Sequence, residues 1–344
     1  MSVLLVRPTA DGGLAAHVDH EARLLAAAGV AVHEAPVRIG SMPHPLRDPR
    51  AIAALRREAD RTRPTAVHAH GLRAGALTAL ALPRSGPRVV VTLHNLPVGG
   101  RAVTAMGRLL LRVLAARADV VLAVSPDLVG RARAAGARQV RHAVIPAPDS
   151  PAMEHADASQ APRSRPLQAG ERLEILVIAR LAPQKGLDTL LDAVAILTGR
   201  GLPVRVRIAG EGPLRSHLEL RIADEAAPVE LLGRRTDVPA LLADSHLVVS
   251  AAVWEGQPVA LQEALGAAMP IIATDAGGTR WVTGDAAVLV PVGESTQLAD
   301  AIEQMDDPAT LAAASAASAR RARELPGDHD MTAQLLDVLG VDAR

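Results

Sequence analysis

The feature that most constrains the fold is a rhythm: short apolar runs alternate with amphipathic stretches along nearly the whole chain. Runs at 3–6, 30–32, 66–69, 88–93, 120–124 and 140–145 read as strands. Residues 14–28, 52–61, 73–82, 102–116 and 127–135 read as helices between them. Strands that alternate with helices pair in parallel, and right-handed crossovers wind the helices onto the sheet. A stretch rich in Pro, Ala, Ser, Asp and Arg then breaks the rhythm at 149–171 and reads as a linker. The alternation resumes with strands at 173–178, 204–208, 229–232, 247–250, 271–273 and 287–290. Helices are expected at 187–197, after 210–213, at 238–243, from Pro258 and at 295–305, then at 311–323 and 331–339. The expected fold class is α/β, with two doubly wound domains at 1–148 and 172–308 and a helical segment at 309–344.

Composition narrows the function. The 344 residues carry a formal net charge of +0, which argues against a general nucleic-acid binder. Without Cys there is no disulfide and no thiolate chemistry. The first apolar run meets Arg7 and Pro8 at once, too short for a signal peptide, and no apolar segment is as long as a membrane span. A soluble, cytoplasmic chain is expected. Arg101, Arg108 and Arg112 share one side of a helix and allow peripheral membrane contact, although an ordinary sheet-packing helix accounts for them more simply. Phe and Tyr are absent, and a single Lys, Lys185, stands among 37 basic residues. Where Arg serves everywhere else, an isolated Lys marks a place that needs a compact ammonium.

The chemistry-bearing residues gather just past strand ends, where open α/β sheets bind ligands. In Trp254-Glu255-Gly256-Gln257-Pro258, Pro258 supplies helical φ for the first turn of a helix. Glu255 then lies outside that helix and Glu263 about a turn and a half inside it, so the two cannot share one helical face. They can bracket something held at the helix N-terminus, where amides and dipole attract an anion. Each carboxylate, being acceptor-only, suits a neutral diol beside that anion. Sugar and ribose with phosphates between them describe a nucleotide-sugar. Arg180 and Lys185 flank the turn after the 173–178 strand, and Gly277-Gly278 follows the 271–273 strand. In the first half, Gly12 and Gly13 follow the first strand, and paired glycines let amides approach a phosphate. His70, His94 and Ser125 are expected on the same rim. A lone His there is also an ordinary capping or packing residue, and that reading stands beside the functional one. Asp328-His329-Asp330 reads as a solvated loop between helices rather than a metal site.

Taken in order, these segments resemble the family 4 glycosyltransferases of the GT-B class (glycosyl transferases group 1). The most specific is Glu255-x7-Glu263. Beside it stand Arg180-Leu-Ala-Pro-Gln-Lys185-Gly186, Gly210-Glu211-Gly212-Pro213 and Asp275-Ala276-Gly277-Gly278, with Gly12-Gly13-x3-His17, His68-Ala69-His70-Gly71, Thr92-Leu93-His94-Asn95 and Val124-Ser125 in the first half. The resemblance implies two Rossmann-like domains facing across a cleft, with the final helices packing back toward the first. It implies transfer from a nucleotide-sugar to an unidentified acceptor (a glycan, a lipid-linked or a small molecule), an activity of EC 2.4 type, with retained anomeric configuration. It implies no metal and no cofactor. Arg180 and Lys185 would bind the diphosphate, Glu263 the ribose, and Glu255 the transferred sugar. The backbone at Gly256, Gln257, Pro258, Val259 and Ala260 would contact sugar and phosphate, Gly12 and Gly13 would border the phosphate, and His94 would lie beside the anomeric carbon. Residues 233–236 fall where the family contacts the base. The Asn-Gly that many relatives carry is absent from Val144-Ile145-Pro146-Ala147-Pro148. The alternatives are a GT-B-like scaffold that binds nucleotide-sugar without transfer, and an epimerase or phosphorylase of the same fold.

Overall fold

The structure is a computed structural model that describes residues 1–9, 13–37, 39–40, 43–95, 100–146, 165–168 and 170–341. The chain divides into two compact units, Met1–Pro146 with Pro326–Arg344, and Ala147–Leu325. In the first unit β1 (Ser2–Val6), β2 (Ala31–Glu34), β3 (Ala66–His70), β4 (Arg88–Leu93), β5 (Val120–Ala123) and β6 (Val140–His142) form one parallel sheet. Its order is β2-β1-β3-β4-β5-β6. In the second, β7 (Leu173–Ile178), β8 (Val204–Ala209), β9 (Val229–Gly233), β10 (Leu247–Ser250), β11 (Ile271–Thr274) and β12 (Ala287–Val290) form another, ordered β12-β11-β10-β7-β8-β9. Each sheet is thus a doubly wound, Rossmann-like one. The order reverses between β1 and β3 in one and between β7 and β10 in the other. Ligands of such sheets bind outside the carboxyl ends of the strands at that reversal.

The connecting helices of the first unit are α1 (Gly13–Ala27), α2 (Arg47–Thr62), α3 (Leu72–Ala81), α4 (Arg101–Ala115) and α5 (Pro126–Ala134). Those of the second are α6 (Leu187–Gly199), α7 (Arg215–Asp224), α8 (Val238–Ala243), α9 (Val259–Gly266), α10 (Thr279–Thr283), α11 (Ser295–Gln304) and α12 (Pro308–Ala322); α13 (Asp328–Leu339) returns to the first unit. Parallel strands covered on both faces read as continuous apolar runs. Along β7, Leu173, Ile175 and Val177 bury one face with Leu187, Leu190, Leu191 and Val194 of α6. Leu176 points the other way, into a cluster with Leu261, Leu265 and Ile271. α4 buries Gly107, Leu111 and Leu114 and leaves Arg101, Arg108 and Arg112 exposed. Among the described residues no helix is long and apolar enough to cross a membrane.

Several local expectations are corrected. α2 begins at Arg47, ahead of its apolar periodicity, because Arg-rich turns carry no hydrophobic signal. His70 lies within β3, not beyond it. Residues 279–283 form a short helix, and Pro183–Lys185 a 3-10 turn. Asp328-His329-Asp330 is not a loop but opens α13, where Asp330 accepts a hydrogen bond from the Gly327 amide at 2.9 Å. Asp328 pairs with His20 at 3.0 Å. The two last helices also part company. α13 stays with the first unit, where Gln334 bonds the His142 carbonyl at 2.8 Å and Arg88 the Val338 carbonyl at 2.6 Å. α12 belongs to the second unit, where Ser315 bonds the Ala268 carbonyl at 2.7 Å and Arg321 the Trp281 carbonyl at 2.7 Å.

With no Phe or Tyr, close packing comes from small residues. α3 is almost wholly buried, and a Cβ added at Gly75 would stand 2.4 Å from Val91 Cγ1. Helix propensity alone makes Gly75→Ala stabilising by about 1 kcal/mol. The stiff Val91 side chain cannot give way, and overpacking costs about 1–3 kcal/mol. A net loss of stability in urea unfolding is therefore expected, and a net gain would contradict this packing.

Candidate functional site

At the β7/β10 reversal four loops are tied together by backbone. After β7 the chain enters the Pro183–Lys185 turn and leaves it at Gly186, with φ +61°. A side chain there would place Cβ 2.0 Å from the Ala251 carbonyl oxygen, so only Gly lets the two loops meet. The Val253 amide donates to the Gln184 carbonyl at 2.8 Å, and Gln184 Nε2 donates to the Trp254 carbonyl at 2.9 Å. From the other flank the Gly278 amide donates to the Glu255 carbonyl at 3.0 Å. Gly277, at φ +56°, lies so close that its Cβ would fall 1.9 Å from that same oxygen. The loop after β8 joins through the Leu181 amide, which donates to the Glu211 carbonyl at 3.0 Å.

This lashing fixes Glu255, which is 8% exposed, and brings Lys185 Nζ into an ion pair with its Oε1. The one ammonium side chain and the loop carboxylate, 70 residues apart, thus meet at the place the topology reserves for ligands. Pro258 stands one position before α9, as its N-cap, rather than inside the first turn. Its φ of −75° still aims the chain into the helix, so the free amides of that first turn open toward the same loop end. Gly256 and Pro258 are buried, and Gln257, Val259 and Ala260 half-buried. Glu263 is half-buried on α9 with no side-chain ion pair or hydrogen bond among the described residues, and burial pushes its carboxyl up. Arg180 is exposed and likewise without an ion pair among the described residues. In 233–236, Arg235 is engaged by Asp237 at 2.5 Å.

The first unit places a different chemistry at its own reversal. His17 and Glu21, four apart on α1, share a helical face; His68 and His70, two apart on β3, share a sheet face. Glu21 is fully buried, with Oε1 2.6 Å from His68 Nδ1. A carboxylate only accepts, so Nδ1 carries that proton, and His68 Nε2 lies 2.7 Å from Thr92 Oγ1. Glu21 Oε2 is 3.3 Å from His70 Nε2, yet neither atom has an aligned hydrogen bond. His70 Nδ1 in turn meets His94 Nε2 at 3.2 Å. The His17 ring stands edge-on to both, with centroids 5.8 Å from His70 and 5.5 Å from His94.

Burial, with His70 adding to it, holds the His17 imidazole at about 3 and His94 well below the usual histidine range. Burial also lowers His70, against the pull of Glu21. Glu21 itself is pushed up by burial, but His68 and His70 outweigh that and hold it well below the usual carboxylate range.

Among the residues singled out in sequence, Lys185, Glu255 and the 277–278 loop come together, and His94 falls just past β4 as expected. His70 is corrected: it is a fully buried strand residue, not a rim residue. Ser125 is buried at the N-cap position of α5, where its hydroxyl donates to the Asp127 carboxylate at 2.5 Å rather than capping a backbone amide. Gly13 opens α1, while Gly12 lies outside the described residues. Glu21 was missed. The i,i+4 spacing of His17 and Glu21 and the i,i+2 spacing of His68 and His70 were the signals that could have found the cluster.

The cluster has a pH signature. His17, His70 and His94 are lowered in the folded chain, so the unfolded chain binds more protons between the folded values and about 6.5. Stability should therefore be full above pH 7 and fall as pH drops below 6.5. Urea midpoints at pH 7.5, 6 and 5 check this, and His17→Gln should flatten the slope. A midpoint independent of pH over that range would contradict it.

Two family models match the chain. The glycosyl transferases group 1 model covers residues 172–307 and the glycosyl transferase 4-like domain model residues 1–148. The alpha-D-kanosaminyltransferase of Streptomyces kanamyceticus is 30% identical over 145 residues, 40% of this chain and 38% of that protein. The putative colanic acid biosynthesis glycosyltransferase WcaL of Escherichia coli (strain K12) is 27% identical over 282 residues, 78% of this chain and 66% of that one. The matches thus span less than two thirds of these relatives' own length. Among solved structures, sucrose-phosphate synthase from Thermosynechococcus elongatus superposes with a TM-score of 0.79 at 16% identity, over 98% of each chain. Anabaena HepE, in complex with UDP, gives 0.75 at 19% identity over 99% of this chain and 100% of that one. The chain therefore belongs to the family 4 glycosyltransferases, the glycosyl transferases group 1, and carries the GT-B pair of Rossmann-like sheets.

Proposed function

We propose that the chain transfers a glycosyl group from a nucleotide-diphosphate-sugar to an acceptor hydroxyl, with retention of anomeric configuration. The observation that carries this reading is the Lys185–Glu255 ion pair at the β7/β10 reversal, backed by the Glu263 carboxylate on the helix that follows, which has no partner among the described residues. Breaking the glycosidic bond leaves negative charge on the diphosphate and positive charge on the sugar. Arg180, Lys185 and the amide end of α9 take the negative charge. A compact ammonium can share its three donors between a phosphate oxygen and Glu255, and Glu255 keeps lone pairs for sugar hydroxyls. Glu263, with no side-chain partner among the described residues, accepts the two ribose hydroxyls. His94 keeps the role the resemblance gives it, and an uncharged imidazole suits a hydrogen bond to a sugar hydroxyl.

Retention is assigned to front-side attack, with the leaving phosphate taking the acceptor proton. A double displacement needs a second carboxylate in reach of the anomeric carbon. Glu21 is fully buried and held by His68, which removes it from that role. The names of the relatives that make colanic acid favour a glycan as the acceptor.

A thermal-shift screen with nucleotide-sugars tests the reading, since a donor stabilises the folded chain by mass action. Lys185→Ala and Glu263→Ala should each weaken donor binding by about 10- to 100-fold, the worth of hydrogen bonds to charged groups. Unchanged affinity in both variants would place the donor elsewhere. Product from an α-linked donor should be α-linked, with no glycosyl adduct on the protein by mass spectrometry; an adduct would overturn front-side attack.

A further inference from the structure

The imidazoles of the first unit have a geometry that capping and packing leave unexplained. The ring centroids of His17, His70 and His94 form a nearly equilateral triangle with edges of 5.5, 5.5 and 5.8 Å. One nitrogen from each ring lies within 4.8 Å of the other two. We propose that His17, His70 and His94 form a three-imidazole site for a divalent d-block cation, zinc being the best fit, with Glu21 orienting one of the ligands.

The distances favour it. A tetrahedral zinc with Zn–N of about 2.0–2.1 Å sets its ligand nitrogens about 3.4 Å apart. His70 Nδ1 and His94 Nε2 already stand 3.2 Å apart, so only the His17 ring has to swing in. Glu21 supplies the second argument. Its Oε2 and His70 Nε2 are fully buried, 3.3 Å apart and without an aligned hydrogen bond. A cation on Nδ1 fixes the remaining His70 proton on Nε2, facing that oxygen. This is the carboxylate–histidine–metal arrangement that orients ligands in metal sites, and it gives a buried orphan pair its bond. Three neutral nitrogens with neither thiolate nor carboxylate among them favour zinc, copper or nickel over magnesium or calcium. Three protein ligands leave a fourth position open, and His17 and His94 are only half-buried, so an ion can enter and leave. The neighbouring set Glu21, His68 and His70 is buried throughout and offers no such entry.

The site has a consequence that rests on the proposed transfer reaction. An ion held by His94 pins the imidazole that would otherwise serve the sugar, so zinc should inhibit transfer and a chelator restore it. Binding itself is tested without that reaction. The full chain, stripped with EDTA, is titrated with zinc chloride by calorimetry and with cobalt chloride by visible absorption. One zinc per chain is expected, and an intense tetrahedral cobalt spectrum. Glu21→Gln should keep the stoichiometry and weaken zinc by about 10- to 100-fold. His17→Gln and His94→Gln, at half-buried positions, should fold as judged by circular dichroism and weaken zinc by more than that. Folded His17→Gln and His94→Gln that bind zinc as the parent does, or a parent without saturable binding, would overturn the proposal. If zinc binds as proposed but leaves transfer unaffected, the role of His94 in transfer is what fails.

Discussion

The second unit depends on one contact, the ion pair between Lys185 and Glu255. Neither residue could be placed without its neighbours. Gly186 lets the β7 loop touch the backbone after β10, and Gly277 lets the β11 loop touch the backbone of Glu255 itself. Both glycines hold a positive φ, and both would drive a Cβ into a carbonyl oxygen. The site is therefore built from main chain first. The side chains are set on a frame that hydrogen bonds between loops have already fixed. The single Lys in a chain of 37 basic residues sits where a planar guanidinium would serve less well, because a point charge can divide itself between a carboxylate and an incoming anion.

The same topological position carries opposite chemistry in the two units. At the β7/β10 reversal stand an ammonium and carboxylates; at the β1/β3 reversal stand four imidazoles and one buried carboxylate. The second arrangement is costly to keep charged, and burial holds His17, His70 and His94 in the neutral form. The first unit thus gathers uncharged nitrogen donors, the second fixed charge.

Much of this was legible in sequence. The strands at 88–93, 173–178, 247–250 and 287–290 coincide with their apolar runs. The loops bearing Lys185, Glu255 and Gly277 were legible as polar or glycine-rich breaks after buried strands. What was hidden depends on tertiary contact. The pairing of Lys185 with Glu255 joins residues 70 apart and leaves no local trace. His70 looked like a rim residue because its polarity was taken as the end of the strand, when a buried Glu21 allowed the strand to continue through it. The split of the final helices between the units rests on contacts such as Gln334 with the His142 carbonyl, across 192 residues.

The central claim is that Lys185, Glu255 and Glu263 form the seat of a nucleotide-sugar. A crystal structure of the chain with the nucleoside diphosphate that stabilises it most tests this directly. The account predicts a diphosphate oxygen within hydrogen-bond distance of Lys185 Nζ and the ribose hydroxyls on Glu263. A nucleotide bound elsewhere, with Lys185 still paired to Glu255 alone, would contradict it.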